Sequence, residues 1–345
     1  MKCFANFTLL SGAFLLLLSA CNPKPTLPTV DATPYHFDVP EGFPAPADPD
    51  ENLISAAKVA LGKRLFYDPI LSSDYTISCN SCHKQGYAFA DQVAISPGVE
   101  GRLGLRNAPS LVNLAYVSVF HKDGGVPKLD MQAGTPIEDA DEMNLPIQQA
   151  AERLNAIPSY EDAFYQAYGK PANSFTITRA LAAFIRTMIS GDSPYDQYTF
   201  QGKAAAMTAA QLRGQALFFS DRLACSSCHS GFNFAQDSFF NNGLKLNYGR
   251  DPGRQRVTID TLDVGKFRVP SLRNVARTAP YMHNGSLPDL EGVVEHYNQG
   301  GVGHPLQDRR IKVLALSPTE KEDLIAFLNA LTDEGFIKNE GLKKN

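Results

Sequence analysis

Two widely separated segments of this chain carry the residues best suited to redox chemistry: Cys79-Asn80-Ser81-Cys82-His83 and Cys225-Ser226-Ser227-Cys228-His229. In each segment, two thiols a turn apart can bond the two vinyl groups of one porphyrin, and the imidazole that follows falls under the iron. The spacing therefore predicts two c-type haems. The predicted attachment residues are Cys79 and Cys82 for the first haem and Cys225 and Cys228 for the second, with His83 and His229 as proximal iron ligands.

Paired cysteines also have two uses that do not involve haem. Four thiols in two pairs can hold one tetrahedral zinc ion, but these pairs lie far apart in the chain and zinc requires neither trailing histidine. The thiols can also form vicinal disulfides or a thioredoxin-like redox site, although neither pair opens a strand-to-helix unit of that fold. Haem attachment is the interpretation that uses both cysteines and the histidine of each motif.

The N-terminus resembles an export signal with a lipid-attachment site. Residues 1–20 begin with Met-Lys, continue with an apolar run over residues 9–18 that is short for a membrane span, and end in Leu-Ser-Ala before Cys21. This layout resembles a bacterial lipobox. We expect a signal peptide over residues 1–20 and lipidation of Cys21, giving a periplasmic lipoprotein held at the membrane by its lipid anchor only. A plain signal peptide with an incidental cysteine is the alternative.

The rest of the chain divides into a linker and two domains. Residues 22–50 are rich in proline and indicate an extended tether. We expect an N-terminal domain over residues 51–200, around the first haem motif, and a C-terminal domain over residues 201–335, around the second. The net charge of -4 gives no sign of a nucleic-acid partner.

The two domains share a helical pattern. Gly-x-x-Leu-Phe precedes each haem motif, at Gly62 and again at Gly214, which indicates an internal duplication. Helical periodicity also marks residues 160–168 and 176–188, and residues 317–320 form a capping box at the start of a last helix. Strand signals are sparse. We therefore predict a mainly α fold with two cytochrome c-like haem domains and long loops.

Several longer motifs resemble those of one family. They are Arg106-Asn107-Ala108-Pro109-Ser110, Phe120-His121-Lys122-Asp123-Gly124-Gly125, the stretch from Met131-Gln132-Ala133 to Glu142-Met143-Asn144, and the stretch from Leu272-Arg273-Asn274-Val275 to Ala279-Pro280-Tyr281-Met282-His283-Asn284-Gly285. Their order and spacing are similar to those of bacterial di-haem cytochrome c peroxidases and the related MauG-type enzymes. The resemblance implies that the first haem is the peroxide site and that electrons enter at the second.

The resemblance also implies two residues on the distal side of the first haem. The positions that match the family's glutamine and glutamate are Gln132 and Glu142. Cleavage of a bound peroxide needs a base that moves a proton from the inner to the outer oxygen, and a carboxylate can do so. Gln132 would orient the peroxide by hydrogen bonding.

The chain departs from many family members at the resting ligand of the first haem. Those members carry a histidine in the loop before the Arg-Asn-x-Pro segment, and the matching position here is Val99. No histidine lies between His83 and His121. Because valine cannot bind iron, we expect the first haem to be five-coordinate or water-bound, ready for peroxide without prior reduction.

A second departure concerns the far ligand of the second haem. Many peroxidases have methionine at the position that Tyr297 occupies here, and MauG-type enzymes have tyrosine. Tyr297 shares a helical face with Leu290 and Val294, whereas His296 points about 100° away. We expect Tyr297 to be the ligand, with His296 as the alternative. A tyrosine ligand favours ferric iron and a lower reduction potential.

A third departure is the absence of tryptophan from the whole chain. The family usually has one between the haems, and Lys122 stands at that position. The resemblance further implies a calcium ion between the domains, with Asn107, Thr278 and Pro280 at the matching positions and oxygen ligands that suit this ion.

These features together predict a di-haem peroxidase that reduces hydrogen peroxide with electrons from a small c-type cytochrome or a cupredoxin. Two c-type haems and one calcium ion are the expected cofactors, and family members are often homodimers. One alternative is a MauG-like oxidase that modifies a protein partner. A non-catalytic di-haem electron carrier or sensor is the second alternative.

Overall fold

The protein is mainly helical, as the sequence predicts. The structure, a computed structural model, describes residues 28–47, 49 and 52–344. The predicted signal peptide, the predicted lipidation site Cys21 and residues 22–27 of the predicted linker lie outside the described residues. Within the described ranges, no helix combines the length and the apolar character that crossing a bilayer requires.

Twelve α-helices and two strands follow one another along the described chain. The helices are α1 (Ala56–Tyr67), α2 (Cys79–Cys82), α3 (Leu129–Glu138), α4 (Ile147–Asn155), α5 (Pro158–Tyr168), α6 (Ser174–Arg186), α7 (Pro194–Thr199), α8 (Ala209–Phe218), α9 (Gln255–Thr258), α10 (Leu290–Asn298), α11 (Pro318–Asn329) and α12 (Glu334–Ile337). Strands β1 (Gln236–Phe240) and β2 (Phe267–Val269) pair antiparallel, with an irregularity in register between Gln236 and Phe239.

The first half is built around the contact between α1 and α6. Gly62 faces the carbonyl oxygen of Ala180 so closely that a Cβ at residue 62 would overlap it. Glycine therefore lets the two helix backbones approach each other. Beside this contact, Phe66 packs edge-on against Phe184, with ring centroids 5.3 Å apart.

The second half repeats this arrangement with α8 and α11. Gly214 faces the carbonyl oxygen of Asp323 in the same close way, and the rings of Phe218 and Phe327 lie 5.1 Å apart. Arg213 adds two hydrogen bonds of 2.7 Å to the Asp323 carboxylate. The duplicated Gly-x-x-Leu-Phe pattern thus corresponds to a duplicated helix pair.

The long segments that follow each haem motif repeat as well. Phe120 and Val126 form an isolated antiparallel bridge, and the matching residues Tyr281 and Leu287 form the same bridge in the second half. Each bridge closes a short loop ahead of a helix, α3 in the first half and α10 in the second. The duplication therefore extends beyond the haem motifs into the loops that surround them.

A buried polar junction joins the two halves. The Asn113 side chain bonds the backbone of Ser190, accepting from its N–H at 2.8 Å and donating to its carbonyl at 2.9 Å. The matching Asn274 accepts from the N–H of Asp333 at 2.8 Å and donates to the Ser190 hydroxyl at 2.9 Å. Buried amides with full sets of partners hold these crossing segments in one arrangement.

The chain crosses between the two apolar cores near both predicted domain boundaries. Tyr195, within the range expected for the first domain, packs in the core of the second half. Phe336 and Leu342, near the C-terminus, pack in the core of the first half. The C-terminal end of each half therefore packs against the core of the other half.

The described part of the predicted linker lies against the folded chain. The backbone N–H of Tyr35 donates to the carbonyl of Ile54 at 3.1 Å. Phe43 is buried, with its ring centroid 4.6 Å from that of Phe232 and 6.0 Å from that of Tyr116. Residues 28–47 thus form specific contacts with both halves, although the proline content predicts an extended tether.

Candidate functional site

The first Cys-x-x-Cys-His motif is held by α2 and by the segment that follows it. The backbone N–H of His83 donates to the carbonyl of Cys79 at 2.9 Å, which closes the motif into a turn. The Nδ1 atom of His83 lies 2.9 Å from the Phe89 carbonyl oxygen. Because a carbonyl only accepts, Nδ1 carries the proton and Nε2 is left as the metal-binding atom. Burial lowers the pKa of His83, which favours this neutral form.

The second motif has the same geometry. The backbone N–H of His229 donates to the carbonyl of Cys225 at 2.9 Å, and Nδ1 lies 3.1 Å from the Phe234 carbonyl oxygen. Burial lowers the pKa of His229 as well. Phe89 and Phe234 both adopt positive φ angles, 56° and 48°, which is uncommon for a bulky residue. These backbone conformations direct the carbonyls of Phe89 and Phe234 towards the imidazole rings of His83 and His229.

A second backbone contact reaches each histidine from another loop. The backbone of Pro109 lies close enough to His83 to raise its pKa against the larger effect of burial, and the backbone of Pro270 acts in the same way on His229. The serine after each proline fixes its loop by donating to a carbonyl 2.7 Å away, from Ser110 to Ala88 and from Ser271 to Asn233. The repeated Pro-Ser-Leu-x-Asn sequence at both places is the signal by which sequence reasoning could have found these supports.

A cavity of about 370 Å³ lies over the second motif. His229 and the two cysteines line it, together with apolar side chains that include Leu223, Val275, Leu290, Val294, Leu324 and Leu328. Arg268 lies on the same wall, and its buried Nε has no hydrogen-bond partner among the described residues. A porphyrin fits this set, because its ring is apolar, its iron accepts a histidine nitrogen and its propionates are anions to which the free Nε–H of Arg268 can donate.

Tyr297 and His296 are separated by their surroundings. Tyr297 lines the cavity, and burial raises its pKa while the nearby Asn242 side chain acts against the rise. His296 is absent from the cavity wall, and its Nε2 donates to the Asn242 carbonyl at 3.0 Å. Of the two candidate ligands, only Tyr297 therefore shares a cavity with His229.

Glu142 lies beside the first motif. Burial raises the pKa of Glu142 to about 7, and the charges of Asp139 and Asp141 add to the rise. Burial also raises the pKa of the Cys79 and Cys82 thiols, and the charge of Glu142 adds to both shifts. The residue is nevertheless exposed to solvent. The carboxyl thus combines access from outside with an electrostatic influence on the haem-attachment thiols.

Gln132 lies on α3, and its amide has a fixed orientation. Its Oε1 accepts from the backbone N–H of His121 at 3.1 Å, so Nε2 remains as a donor. The loop that carries Glu142 is attached to the end of the same helix, because the N–H of Met143 donates to the carbonyl of Pro136 at 3.1 Å. The two predicted peroxide-handling residues therefore belong to one connected unit.

Val99, at the position matching the family's resting ligand, is buried in protein. Its side chain is 1% exposed, and its backbone N–H donates to the carbonyl of Glu142 at 2.8 Å. The loop is thus closed onto the Glu142 segment by backbone bonding and apolar packing. An open distal face at the first haem stays a prediction.

The predicted calcium ligands have other partners. The side-chain oxygen of Asn107 accepts from Nζ of Lys122, and its Nδ2 donates to the carbonyl of Pro280 at 2.9 Å. The hydroxyl of Thr278 donates to the carbonyl of Val275 at 3.1 Å. A calcium ion needs oxygen atoms turned towards it. With an amine at one oxygen and an amide N–H at another, the residues as arranged do not fit calcium.

Three further aromatic residues line the same cavity. His283 stacks on Phe267 with ring centroids 4.0 Å apart, and burial lowers its pKa to about 4. Tyr281 donates from its hydroxyl to the carbonyl of Val275 at 2.9 Å.

Zinc and disulfides find little support in the geometry. The four described cysteines are free thiols. No group of three or more His, Cys, Asp or Glu side chains within residues 28–47, 49 and 52–344 is placed to hold a metal ion. The paired motifs stand apart rather than converging on one tetrahedral site.

Comparison with known proteins agrees with this geometry. The chain is 38% identical over 303 residues to the methylamine utilization protein MauG of Methylorubrum extorquens, covering 86% of this chain and 84% of that protein. It is 35% identical over 288 residues to the cytochrome c551 peroxidase of Pseudomonas aeruginosa, covering 81% and 80%. A family model described as di-haem cytochrome c peroxidase matches residues 56–205. The chain belongs to the di-haem cytochrome c peroxidase and MauG family.

A solved structure of this di-haem family has the same fold. The crystal structure of a MauG-like protein associated with microbial copper homeostasis matches with a TM-score of 0.84 and 34% identity, covering 90% of this chain and 99% of that chain. Membership confirms the family that the sequence motifs predict, and it implies two c-type haems. The expectation of an enzyme of the cytochrome c peroxidase type is confirmed at the level of the family.

Proposed function

We propose that this member of the di-haem family is a peroxidase that reduces hydrogen peroxide to water at the N-terminal haem site. The observation that carries the proposal is the position of Glu142. Its charge raises the pKa of the Cys79 and Cys82 thiols, so the carboxyl lies within electrostatic range of the first motif, and its own pKa is raised to about 7. A base is most effective in proton transfer when its pKa lies near the working pH.

In this proposal the haem supplies electron transfer to the peroxide, and Glu142 supplies proton transfer. A haem attached at Cys79 and Cys82, with His83 as its proximal ligand, would supply the iron at which peroxide takes up electrons. Ionised Glu142 accepts the proton of the inner peroxide oxygen and returns it to the outer oxygen, which leaves as water. Hydrogen peroxide, two electrons and two protons give two molecules of water.

Gln132 positions the peroxide in this proposal. Its Oε1 is already bonded to the backbone of His121, so its Nε2 is the group that can donate to a peroxide oxygen. A donor that is fixed before the substrate arrives stabilises the developing negative charge without reorganisation. The buried Val99 leaves the distal face free for this exchange.

Electrons reach the first site through the second in this proposal. Cys225 and Cys228 would attach the second haem, with His229 and Tyr297 as its axial ligands, and all four residues line one cavity. We propose a small c-type cytochrome or a cupredoxin as the donor, because a single-electron carrier is needed twice for each peroxide. The relative named cytochrome c551 peroxidase supports this choice.

Steady-state kinetics tests the proposed function. The full-length protein, matured with both haems, is mixed with reduced small c-type cytochrome and hydrogen peroxide, and oxidation of the cytochrome is followed optically. We expect rapid turnover that depends on both reactants. Consumption of peroxide without oxidation of the cytochrome would contradict a peroxidase, and inertness towards peroxide would indicate an electron carrier or sensor.

A MauG-like oxidase is the second candidate, and Tyr297 is the observation that favours it. A tyrosine at the second haem stabilises oxidised iron, which suits an enzyme that retains oxidising equivalents. The 38% identity to a MauG protein points the same way. Such an enzyme, after one addition of peroxide, would retain the oxidising equivalents and pass them to a protein partner, whereas a peroxidase discharges them to its donor.

We also propose that the mature protein is exported and anchored to a membrane through Cys21. The apolar run over residues 9–18 and the Leu-Ser-Ala-Cys end of the signal support this. Membrane fractionation of wild type and Cys21→Ala tests it. We expect the variant to lose its acyl chains by mass and to leave the membrane fraction. A membrane-bound Cys21→Ala protein would contradict the anchor.

A further inference from the structure

Lys122 holds an unusual place between the two halves. It stands where the family usually has a tryptophan, and it lines the cavity of the second haem site together with Asn107. Its Nζ donates to the Asn107 side-chain oxygen and lies 3.4 Å from the carbonyl oxygen of His283. The amine thus links a loop of the first half to a loop of the second.

The Lys122 amine decides how the Asn107 amide is turned. The ammonium form of lysine only donates, so the amide atom that faces it is Oδ1, as the hydrogen bond from Nζ to Oδ1 shows. Nδ2 consequently faces the Pro280 carbonyl, to which it donates at 2.9 Å. The backbone N–H of Asn107 also donates to the His283 carbonyl at 3.1 Å. Lys122 and Asn107 therefore donate hydrogen bonds to the Asn107 side-chain oxygen and to the carbonyl oxygens of Pro280 and His283.

This orientation is incompatible with the calcium site that the family resemblance implies. Calcium would need Oδ1 of Asn107 and the carbonyl of Pro280 to point at the same ion. Here the Asn107 amide turns its nitrogen towards Pro280. Two guanidinium groups lie within electrostatic range of this place, because Arg106 and Arg268 both lower the pKa of Lys122, after burial as the main cause, while Asp251 opposes them. Asp251 itself accepts two hydrogen bonds from Arg106. The guanidinium groups therefore disfavour a divalent ion here.

We infer that the side-chain amine of Lys122 replaces the calcium ion as the bridge between the two halves of this protein. The amine bonds the Asn107 oxygen in either protonation state, since both states keep an N–H donor, and its volume excludes a metal ion. The second half then docks through hydrogen bonds from a side chain of the protein itself, and no metal ion has to be bound.

Metal analysis of the wild-type holoprotein is the primary test. The protein with both haems is passed over a chelating resin and its calcium content is measured, and its thermal midpoint and optical spectrum are compared with and without excess EGTA. We expect no stoichiometric calcium and no change of midpoint or spectrum with EGTA. Retention of one equivalent of calcium, or a midpoint that falls with EGTA, would overturn the inference.

A pair of lysine variants tests the bridge itself. Lys122→Met removes the donor while keeping a flexible side chain of similar length, and Lys203→Met makes the same change at an exposed lysine. We expect Lys122→Met to lower the thermal midpoint relative to Lys203→Met, and added calcium chloride to restore part of the loss only in Lys122→Met. Equal midpoints for the two variants, or no effect of calcium on Lys122→Met, would contradict the replacement. If Lys122→Met fails to fold, the wild-type metal analysis still decides.

Discussion

The Nδ1 atom of His83 lies 2.9 Å from the carbonyl oxygen of Phe89, and this carbonyl belongs to a residue with a φ angle of 56°. His229 and Phe234 repeat the pair at 3.1 Å, with a φ angle of 48° at Phe234. A carbonyl placed in this way selects one tautomer and directs Nε2 towards a metal. Both halves therefore accept an uncommon backbone conformation to hold one ring nitrogen.

The first prediction concerns attachment. Replacing both cysteines of the first motif by serine, Cys79→Ser with Cys82→Ser, should leave a protein whose mass is lower by one haem, because serine forms no thioether. Intact mass and the haem absorbance of the denatured protein measure this. The same double change at Cys225 and Cys228 should give an equal loss. A mass unchanged apart from the substitutions would contradict covalent attachment at that motif.

The second prediction concerns the base. Glu142→Gln should slow kcat/KM for hydrogen peroxide by about 100-fold or more, because the amide cannot accept the peroxide proton. Both haems should remain attached, by mass. Glu152→Gln on the exposed face of α4 is the matched control and should keep the wild-type rate. A Glu142→Gln protein as fast as this control would show that another group moves the proton.

The third prediction concerns pH. Glu142 is a base only when ionised, and its pKa is raised from 4.5 to about 7. The rate with peroxide should therefore fall as the pH drops through about 7. Asp141→Asn should move this limb to lower pH, because it removes one of the charges that raise the pKa. An acid limb in the same place for both proteins would disprove the assignment.

The fourth prediction concerns the second haem. Tyr297→Met should raise its reduction potential by on the order of 100 mV, because a thioether stabilises ferrous iron better than a phenol does. His296→Asn should leave the potential close to wild type, since His296 bonds the Asn242 carbonyl instead of facing the cavity. Spectroelectrochemistry measures both. A larger shift in His296→Asn than in Tyr297→Met would identify histidine as the ligand.

The fifth prediction concerns the helix contact. Gly62→Ala should lower stability by about 1–3 kcal/mol, because the added methyl overlaps the Ala180 carbonyl and forces α1 away from α6. Gly86→Ala is the control, since a Cβ at residue 86 meets no neighbouring atom within 4 Å. Thermal unfolding followed by circular dichroism compares the two. Equal midpoints would mean that the helices can separate without cost.

The features that the sequence predicts well are those encoded over a few neighbouring residues. The Cys-x-x-Cys-His spacing determines a local turn, and the pattern around Gly62 and Gly214 determines a helix pair. The helical position of Tyr297 relative to Leu290 already separates it from His296, and the structure places Tyr297 at the cavity wall. Local geometry carries this information without help from distant parts of the chain.

The features that the sequence does not predict depend on contacts between distant segments or on backbone atoms. Any residue type supplies a carbonyl, so Phe89 has no chemical mark as the partner of His83. The orientation of the Asn107 side-chain amide depends on Lys122 and Pro280, which contact it from two other loops. The proline content of residues 28–47 excludes regular structure but does not indicate where Phe43 packs.

Pro109 has one further consequence. Its backbone raises the pKa of His83 at the first site, while the residue itself lines the cavity of the second. A single loop residue thus separates the two haem-attachment sites. We therefore expect a substitution at Pro109 to alter the surroundings of both sites at once.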